Sequence, residues 1–331
     1  MSDFSGIWAA IVTPFQDQHT PHAGQPLVDH AALRTLVQHL RAEGISGLVA
    51  LGSTGEAAAL NDAEQDAVLG TVREAAEGLP VMAGLAGNHV GHLHARLAHF
   101  NTLPLAGVLS PAPYYVRPSQ PALVAHFQAL ADACEAPLVL YDIPYRTGVT
   151  MSLDTLLTLA AHPNIHAVKD CGGSLDKTEA LIMDGRLQVM SGEDALIFTH
   201  LCLGAHGAIS AASQVAPAAF MALHDAVKAG RLAHARRWQQ QLRPLLQALF
   251  TEPNPALVKQ ALHMQGWMAP TVRPPMLPAS DPAQAVLADV MAQVLQTGAV
   301  EEDGRREHIN ARPAPPPAAA ATSAHNGHWP R

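Results

Sequence analysis

The sequence predicts an α/β chain folded as a closed (β/α)8 barrel, a TIM barrel, with a helical appendage after it. Three observations predict this. Short apolar runs rich in Val, Ile and Leu alternate with longer Ala- and Leu-rich helical stretches, the pattern of a parallel sheet with crossover helices. Eight such runs precede a stretch that is helical throughout, and eight β/α units in one series suit a barrel. An open doubly wound sheet often carries G-x-G-x-x-G after its first strand, but Thr13-Pro14-Phe15 stand at that place here.

Taken in order, the strands are expected near Ile7 to Thr13, Gly47 to Leu51, Val81 to Gly84, Gly107 to Ser110, Leu138 to Tyr141, Ala167 to Lys169, Gln188 to Ser191 and Gly207 to Ser210. Helical segments fall between them at His30 to Glu43, Asp62 to Glu77, Gln120 to Cys134, Leu153 to Ala161 and Leu175 to Met183, several opened by a Ser or Asp cap. Residues 1–215 are thus expected to form the barrel. Residues 216–297, with candidate helices at Ala216 to Leu249, Asn254 to Gln265 and Pro282 to Leu295, are expected to pack on it. From Gly298 to Arg331 the chain turns to Glu, Arg, Pro and Ala, too poor in apolar surface to offset chain entropy, and a disordered tail is expected.

With 48% hydrophobic and 15% charged residues the chain can bury a large, mainly aliphatic core. A net charge of -8 with no Lys and Arg cluster argues against a nucleic-acid partner. Met1 to Phe15 lacks the basic and apolar regions of a secretory signal, and no charge-free apolar run is long enough to span a membrane, so a cytoplasmic location is expected. Cys134, Cys171 and Cys202 fit neither a disulfide framework nor paired CxxC zinc ligands, and His89, His92 and His94 lack the HExxH arrangement. No metal or cofactor is expected.

A (β/α)8 barrel places its active site at the C-terminal ends of the strands, so the polar residues that follow each apolar run are the candidates. They are Thr13, Ser53 and Thr54, Ser110 with Tyr114 and Tyr115, Tyr141, Lys169, and Ser191 to Glu193. Of the four lysines, Lys177, Lys228 and Lys259 fall on or beside helices, where a solvated or snorkelling side chain is expected. Only Lys169 ends an apolar run. An ammonium in a barrel mouth is desolvated, which lowers its pKa and frees the amine to attack a carbonyl; pairing with Asp170 is the structural alternative. Gly52-Ser53-Thr54-Gly55-Glu56 offers backbone N–H groups and two hydroxyls to a carboxylate, or is an ordinary strand-to-helix turn. Tyr141 can relay protons beside a Schiff-base lysine, or is an amphipathic rim residue. The glycines of Cys171-Gly172-Gly173 and Gly204 to Gly207 could cradle a phosphate, but neither segment holds a basic residue.

These motifs together resemble the dihydrodipicolinate synthase and N-acetylneuraminate lyase superfamily over roughly Phe4 to Leu295. The segments that carry the resemblance are G-S-T-G-E at Gly52 to Glu56, P-Y-Y-V-R-P-S-Q at Pro113 to Gln120, Y-D-I-P-Y-R-T-G at Tyr141 to Gly148, V-K-D at Val168 to Asp170 and E-P-N-P at Glu252 to Pro255. The resemblance implies a pyruvate-dependent class I lyase in which Lys169 forms the Schiff base and Tyr141 relays protons. Ser53 and Thr54 would bind the pyruvate carboxylate, with Gly55 and Ile209 also at the substrate. Tyr115 would reach into a neighbouring subunit and join Ser53 and Tyr141 in a hydroxyl relay, which implies a homotetramer built as a dimer of dimers.

Arg146 resembles the arginine of the synthase branch, where its guanidinium can pair with the carboxylate of the second substrate. The implied reaction is condensation of pyruvate with L-aspartate 4-semialdehyde to 4-hydroxy-tetrahydrodipicolinate, in lysine and diaminopimelate biosynthesis. The sequence departs from that branch at Ser53 (commonly Thr), Asp142 (usually Asn) and Cys171-Gly172 (more typically Ala-Ser or Ala-Thr). An aldolase or dehydratase of a 2-keto-3-deoxy sugar acid is therefore the alternative, and a non-catalytic pyruvate-binding paralogue a more distant one. Cys171 reads most simply as a small buried residue. Some synthases bind lysine at a subunit interface; Asn88 and Tyr114 match that pattern, whereas Asp62 and Gln65 replace its histidines and His92 replaces its glutamate. Weak or absent feedback inhibition by lysine is expected.

Overall fold

The structure, a computed structural model, describes residues 3–17, 25–296, 299–302 and 305–308. Its barrel half runs β1 (Gly6–Ala10), α1 (His30–Ala42), β2 (Gly47–Ala50), α2 (Asp62–Ala76), β3 (Val81–Gly84), α3 (Val90–Phe100), β4 (Gly107–Pro111) and α4 (Gln120–Ala133). It continues through β5 (Leu138–Asp142), α5 (Pro144–Thr147), α6 (Leu153–Leu159), β6 (Ile165–Asp170), α7 (Leu175–Asp184), β7 (Gln188–Ser191), α8 (Ile197–Leu203) and β8 (Gly207–Ser210). Four helices follow: α9 (Pro217–Lys228), α10 (Leu232–Leu249), α11 (Ala256–Met264) and α12 (Asp281–Gln296). The eight strands pair in parallel in chain order, and β1 returns to β8 with Gly6 opposite Gly207, so the sheet closes. That closure depends on glycine, because a Cβ on Gly207 would overlap the carbonyl of Gly6.

Strand parity divides the apolar residues into two cores. Residues facing outward, such as Leu48, Leu140, Val168 and Val189, pack beneath the helices. Inward residues, among them Trp8, Met82, Val139, Ala167, Met190 and Ile209, fill the barrel. At the N-terminal end of the strands Phe4 and Trp8 meet edge to face at 5.7 Å, and the Trp8 indole donates to the Phe4 carbonyl at 2.9 Å. A Cβ on Gly47 would overlap the Trp8 ring, so the aromatic plug needs that glycine.

Local chemistry sets the helix starts. The Asp29 side chain accepts from the amides of Ala31 and Ala32, and Asn61 with Glu64 forms a reciprocal capping box on α2. At α3 the cap is His89, whose Nδ1 accepts from the His92 amide at 2.9 Å.

Three expectations change. Ala216 to Leu249 is not one helix: Gly230, at φ +71°, separates α9 from α10. Within the segment expected to lack structure, Ala299–Glu302 and Arg305–His308 pair antiparallel; residues 309–331 lie outside the described residues. Two helical lysines are not solvated. Lys177 is buried against Asp142, and Lys259 is completely buried, 2.5 Å from Glu56 Oε1. Helix position told only that each lysine had a long stem; buried carboxylates on neighbouring elements drew the ammonium groups inward.

Candidate active site

Lys169 and Tyr141 are partners in the β5–β6 register, and both face the barrel interior. Their parity follows from the strands: Val139 and Tyr141 alternate with outward-facing Leu140 and Asp142, as Ala167 and Lys169 do with Val168 and Asp170. Lys169 Nζ donates to the Tyr141 hydroxyl at 3.3 Å and lies 4.3 Å from the centre of its ring. Burial holds the Lys169 pKa below its ordinary value, against the opposing pull of Cys171, Asp194 and Glu193. Burial likewise pushes the Tyr141 phenol well above its ordinary value, so it remains O–H. A desolvated amine beside a phenolic proton donor can attack a carbonyl carbon and have the departing oxygen protonated.

The outward-facing carboxylates brace this pair from behind. Asp142 points away from the barrel mouth, pairing with Lys177 and accepting from the Met151 amide at 3.1 Å. Asp170 accepts from the Gly172 amide at 2.8 Å and the Thr178 hydroxyl at 2.5 Å, rather than pairing with Lys169. Gly172 lies close against this cluster: a Cβ there would overlap the Lys177 ammonium and come within 2.7 Å of Asp142 Oδ2.

The Gly52 to Glu56 segment forms a tight turn after β2, with Gly55 N donating to Gly52 O at 3.0 Å and Glu56 N to Ser53 O at 3.1 Å. Ser53 is exposed and Thr54 buried. The Thr13 hydroxyl donates to the Gly55 carbonyl at 2.7 Å, and Asn254 Nδ2 donates to Thr54 Oγ1 at 2.8 Å. Because its oxygen already accepts from Asn254, Thr54 has its own proton left to donate. Asn254 belongs to the E-P-N-P segment, whose contact with the turn crosses 200 residues and left no local signal.

Ile209 is fully buried in the barrel core on β8. Arg146 lies exposed on α5, with Nε 3.3 Å from the Tyr145 hydroxyl and its guanidinium over that ring. Tyr115 is 90% exposed at φ +72°, its amide donating to the Thr147 carbonyl at 3.2 Å, so its ring extends away from its own barrel.

Residues after β7 join the site more closely than the sequence suggested. Gly192 sits against Lys169: a Cβ there would lie 2.9 and 3.0 Å from Lys169 Cγ and Cε. Half-buried Glu193 interacts with Lys169, Cys171 and Arg146. Asp194, held by the Ser210 hydroxyl and the Ala212 amide (3.0 Å), adds a second carboxyl near the lysine. Burial raises the pKa of both acids. Their position at a strand end was the available signal. Among the described residues no cluster of His, Cys, Asp and Glu could hold a metal ion.

Residues 3–294 match the dihydrodipicolinate synthetase family. The chain belongs to that family. A 4-hydroxy-tetrahydrodipicolinate synthase of Sorangium cellulosum (strain So ce56) is 40% identical over 294 residues, which cover 88% of this chain and 96% of the relative. Among solved structures, the 4-hydroxy-tetrahydrodipicolinate synthase of the thermoacidophilic methanotroph Methylacidiphilum fumariolicum SolV superposes with a TM-score of 0.84 at 32% identity, covering 89% of this chain and 97% of that one. A chloride-inhibited dihydrodipicolinate synthase of Acinetobacter baumannii complexed with pyruvate gives 0.83 at 32% identity, over 88% and 98%. Family membership therefore extends over the whole barrel and its appended helices, and stops at the segment where the composition changes.

Proposed function

We propose that this chain is a Schiff-base lyase that condenses pyruvate with L-aspartate 4-semialdehyde to 4-hydroxy-tetrahydrodipicolinate. The observation that carries the reading is the buried Lys169 amine, 3.3 Å from the Tyr141 hydroxyl at the mouth of the barrel. Lys169 attacks the pyruvate carbonyl; Tyr141 protonates the carbinolamine oxygen, which leaves as water and yields the imine. Ser53, Thr54 and the backbone around Gly55 bind the pyruvate carboxylate, and Ile209 walls the substrate's apolar side. Loss of a proton from the pyruvate methyl then gives the enamine nucleophile. Arg146, reaching over the mouth, binds the carboxylate of the incoming aldehyde, which a bidentate guanidinium suits better than an ammonium.

The exposed Tyr115 supports an assembly in which it enters a partner's site, and we infer a homotetramer working in the cytoplasm. No described helix is long and apolar enough to cross a membrane. Borohydride added with pyruvate should trap one adduct on Lys169, identified by peptide mass spectrometry. Labelling of Lys177, Lys228 or Lys259 instead would overturn the mechanism. A coupled assay of pyruvate with L-aspartate 4-semialdehyde and with 2-keto-3-deoxy sugar acids decides the substrate; turnover of the sugar acids alone would overturn the assignment.

A further inference from the structure

Resting on that reading of Tyr141, we propose that Cys171 and Glu193 form a proton path within one subunit, joining the Tyr141 hydroxyl to solvent at the barrel mouth. Cys171 directly follows β6 and keeps the inward parity of Ala167 and Lys169, so its thiol enters the interior cluster with Tyr141, Ile143, Met190 and Ile209. The Cys171 amide donates to the Asp142 carbonyl at 2.8 Å, which pins it beside the residue that follows Tyr141. From the other side, the Gly192 amide donates to the Asp170 carbonyl at 2.9 Å and draws the loop after β7 onto the end of β6. A Cβ on Gly192 would overlap Cys171 Sγ, so glycine is what allows the approach. Glu193, the next residue, is thereby drawn towards the thiol, which interacts with both the Tyr141 hydroxyl and the Glu193 carboxyl. Tyr141 and Cys171 are each 7% exposed, whereas Glu193 is only half-buried, so the three groups run from the interior outward.

The chemistry of the groups fits a relay. A thiol donates one hydrogen bond and accepts weakly, and burial raises the Cys171 pKa far enough to keep it S–H rather than a competing nucleophilic thiolate. Glu193 faces Lys169 on β6, Arg146 and Tyr145 after β5, Asp194 beside it, and the Cys171 thiol; the balance of these with burial raises its pKa and keeps its proton available at higher pH. As the carbinolamine loses water, Tyr141 gives its proton to the departing oxygen. The phenolate takes the Cys171 proton, the sulfur takes the proton of Glu193, and solvent reprotonates the carboxylate. One solvent proton is consumed, and nothing is oxidised or reduced. Cys171 and Glu193 act through Tyr141 and are positioning residues. Tyr115 of a neighbour is then a second route to the same hydroxyl, not the sole one.

The test follows imine formation on the full-length protein with pyruvate alone, by borohydride quenching at timed intervals and intact-mass detection, over a pH series. Direct loss of an acid–base group costs about 10²-fold or more; water can partly replace a relay, so Cys171→Ala should slow the rate on the order of 10-fold. The final extent of imine should not change. Cys171→Ser supplies a hydroxyl with the same donor and acceptor and should recover most of the rate. Glu193→Gln should slow imine formation comparably, remove the fall in rate that accompanies loss of the carboxyl proton as pH rises through its pKa, and be rescued by a small carboxylic acid added at a pH where it is protonated. Equal losses in the Ala and Ser variants with weakened pyruvate affinity would assign Cys171 to packing and overturn the path. So would an unchanged pH profile in Glu193→Gln, or wild-type rates in every variant. If the wild-type chain traps no imine on Lys169, the Schiff-base reading itself falls, and the path with it.

Discussion

The buried pair of Lys259 and Glu56 offers a sharp test of what holds the appended helices against the Gly52 to Glu56 turn. Lys259 Nζ lies 2.5 Å from Glu56 Oε1, donates to the Thr271 carbonyl at 2.9 Å, and sits 4.0 Å from the centre of the Phe15 ring. Glu56, at φ +52° at the end of the Gly52 to Glu56 turn, also accepts from the Arg273 amide at 2.9 Å. Lys259→Met keeps the volume but leaves a carboxylate buried without its counter-charge, a change that typically costs about 3–5 kcal/mol. The retained Arg273 amide favours the lower end, about 3 kcal/mol, or a fall in Tm of about 5 °C for a folded unit of this size. Replacing both partners by uncharged groups of similar shape should be nearly neutral, so Lys259→Met with Glu56→Gln should return to within about 1 kcal/mol of wild type. Urea unfolding of the wild type, both single variants and the double variant closes the cycle. A single-variant loss under about 1 kcal/mol, or losses that simply add, would refute the reasoning. Because Glu56 adjoins Gly55, pyruvate affinity should weaken in the single variant and return in the double.

Lys169→Ala should abolish turnover, while Tyr141→Phe should lower kcat by roughly 10²-fold with the barrel still folded by circular dichroism; an unchanged kcat removes Tyr141 from the chemistry. Lysine should inhibit weakly or not at all, because His92 stands where the lysine-sensitive pattern has a glutamate, and loss of that charge-assisted bond to the effector's ammonium costs roughly 10- to 100-fold in affinity. Half-inhibition at sub-millimolar lysine in a turnover titration would overturn this. Deleting Gly298 to Arg331 should leave imine formation unchanged, since the family match ends at residue 294; a large fall in rate would show that the segment supports the site.

The order of elements was legible in the sequence because it depends on local pattern. Apolar runs of strand length, separated by capped helices, place β3, β7 and β8 at the expected residues, and only strand ends elsewhere differ. Lys169 and Tyr141 were legible for the same reason: each ends such a run, and strand parity then turns both inward. What the sequence did not reveal lies in contacts between distant segments. Nothing near Lys259 announces that its ammonium meets Glu56, 203 residues away, and nothing near Thr54 announces Asn254. The direction of Asp142 was equally hidden, because its partner Lys177 is on α7 and the two meet only when β5 and β6 lie side by side. The sequence by itself determined the barrel and the placing of Lys169 and Tyr141 at its strand ends, since periodicity and strand position are properties of short segments. Only the tertiary structure decided the environment of those groups, with Gly192, Cys171, Glu193 and Asp194 gathered around one amine, because burial and charge depend on which strands and loops closure brings together.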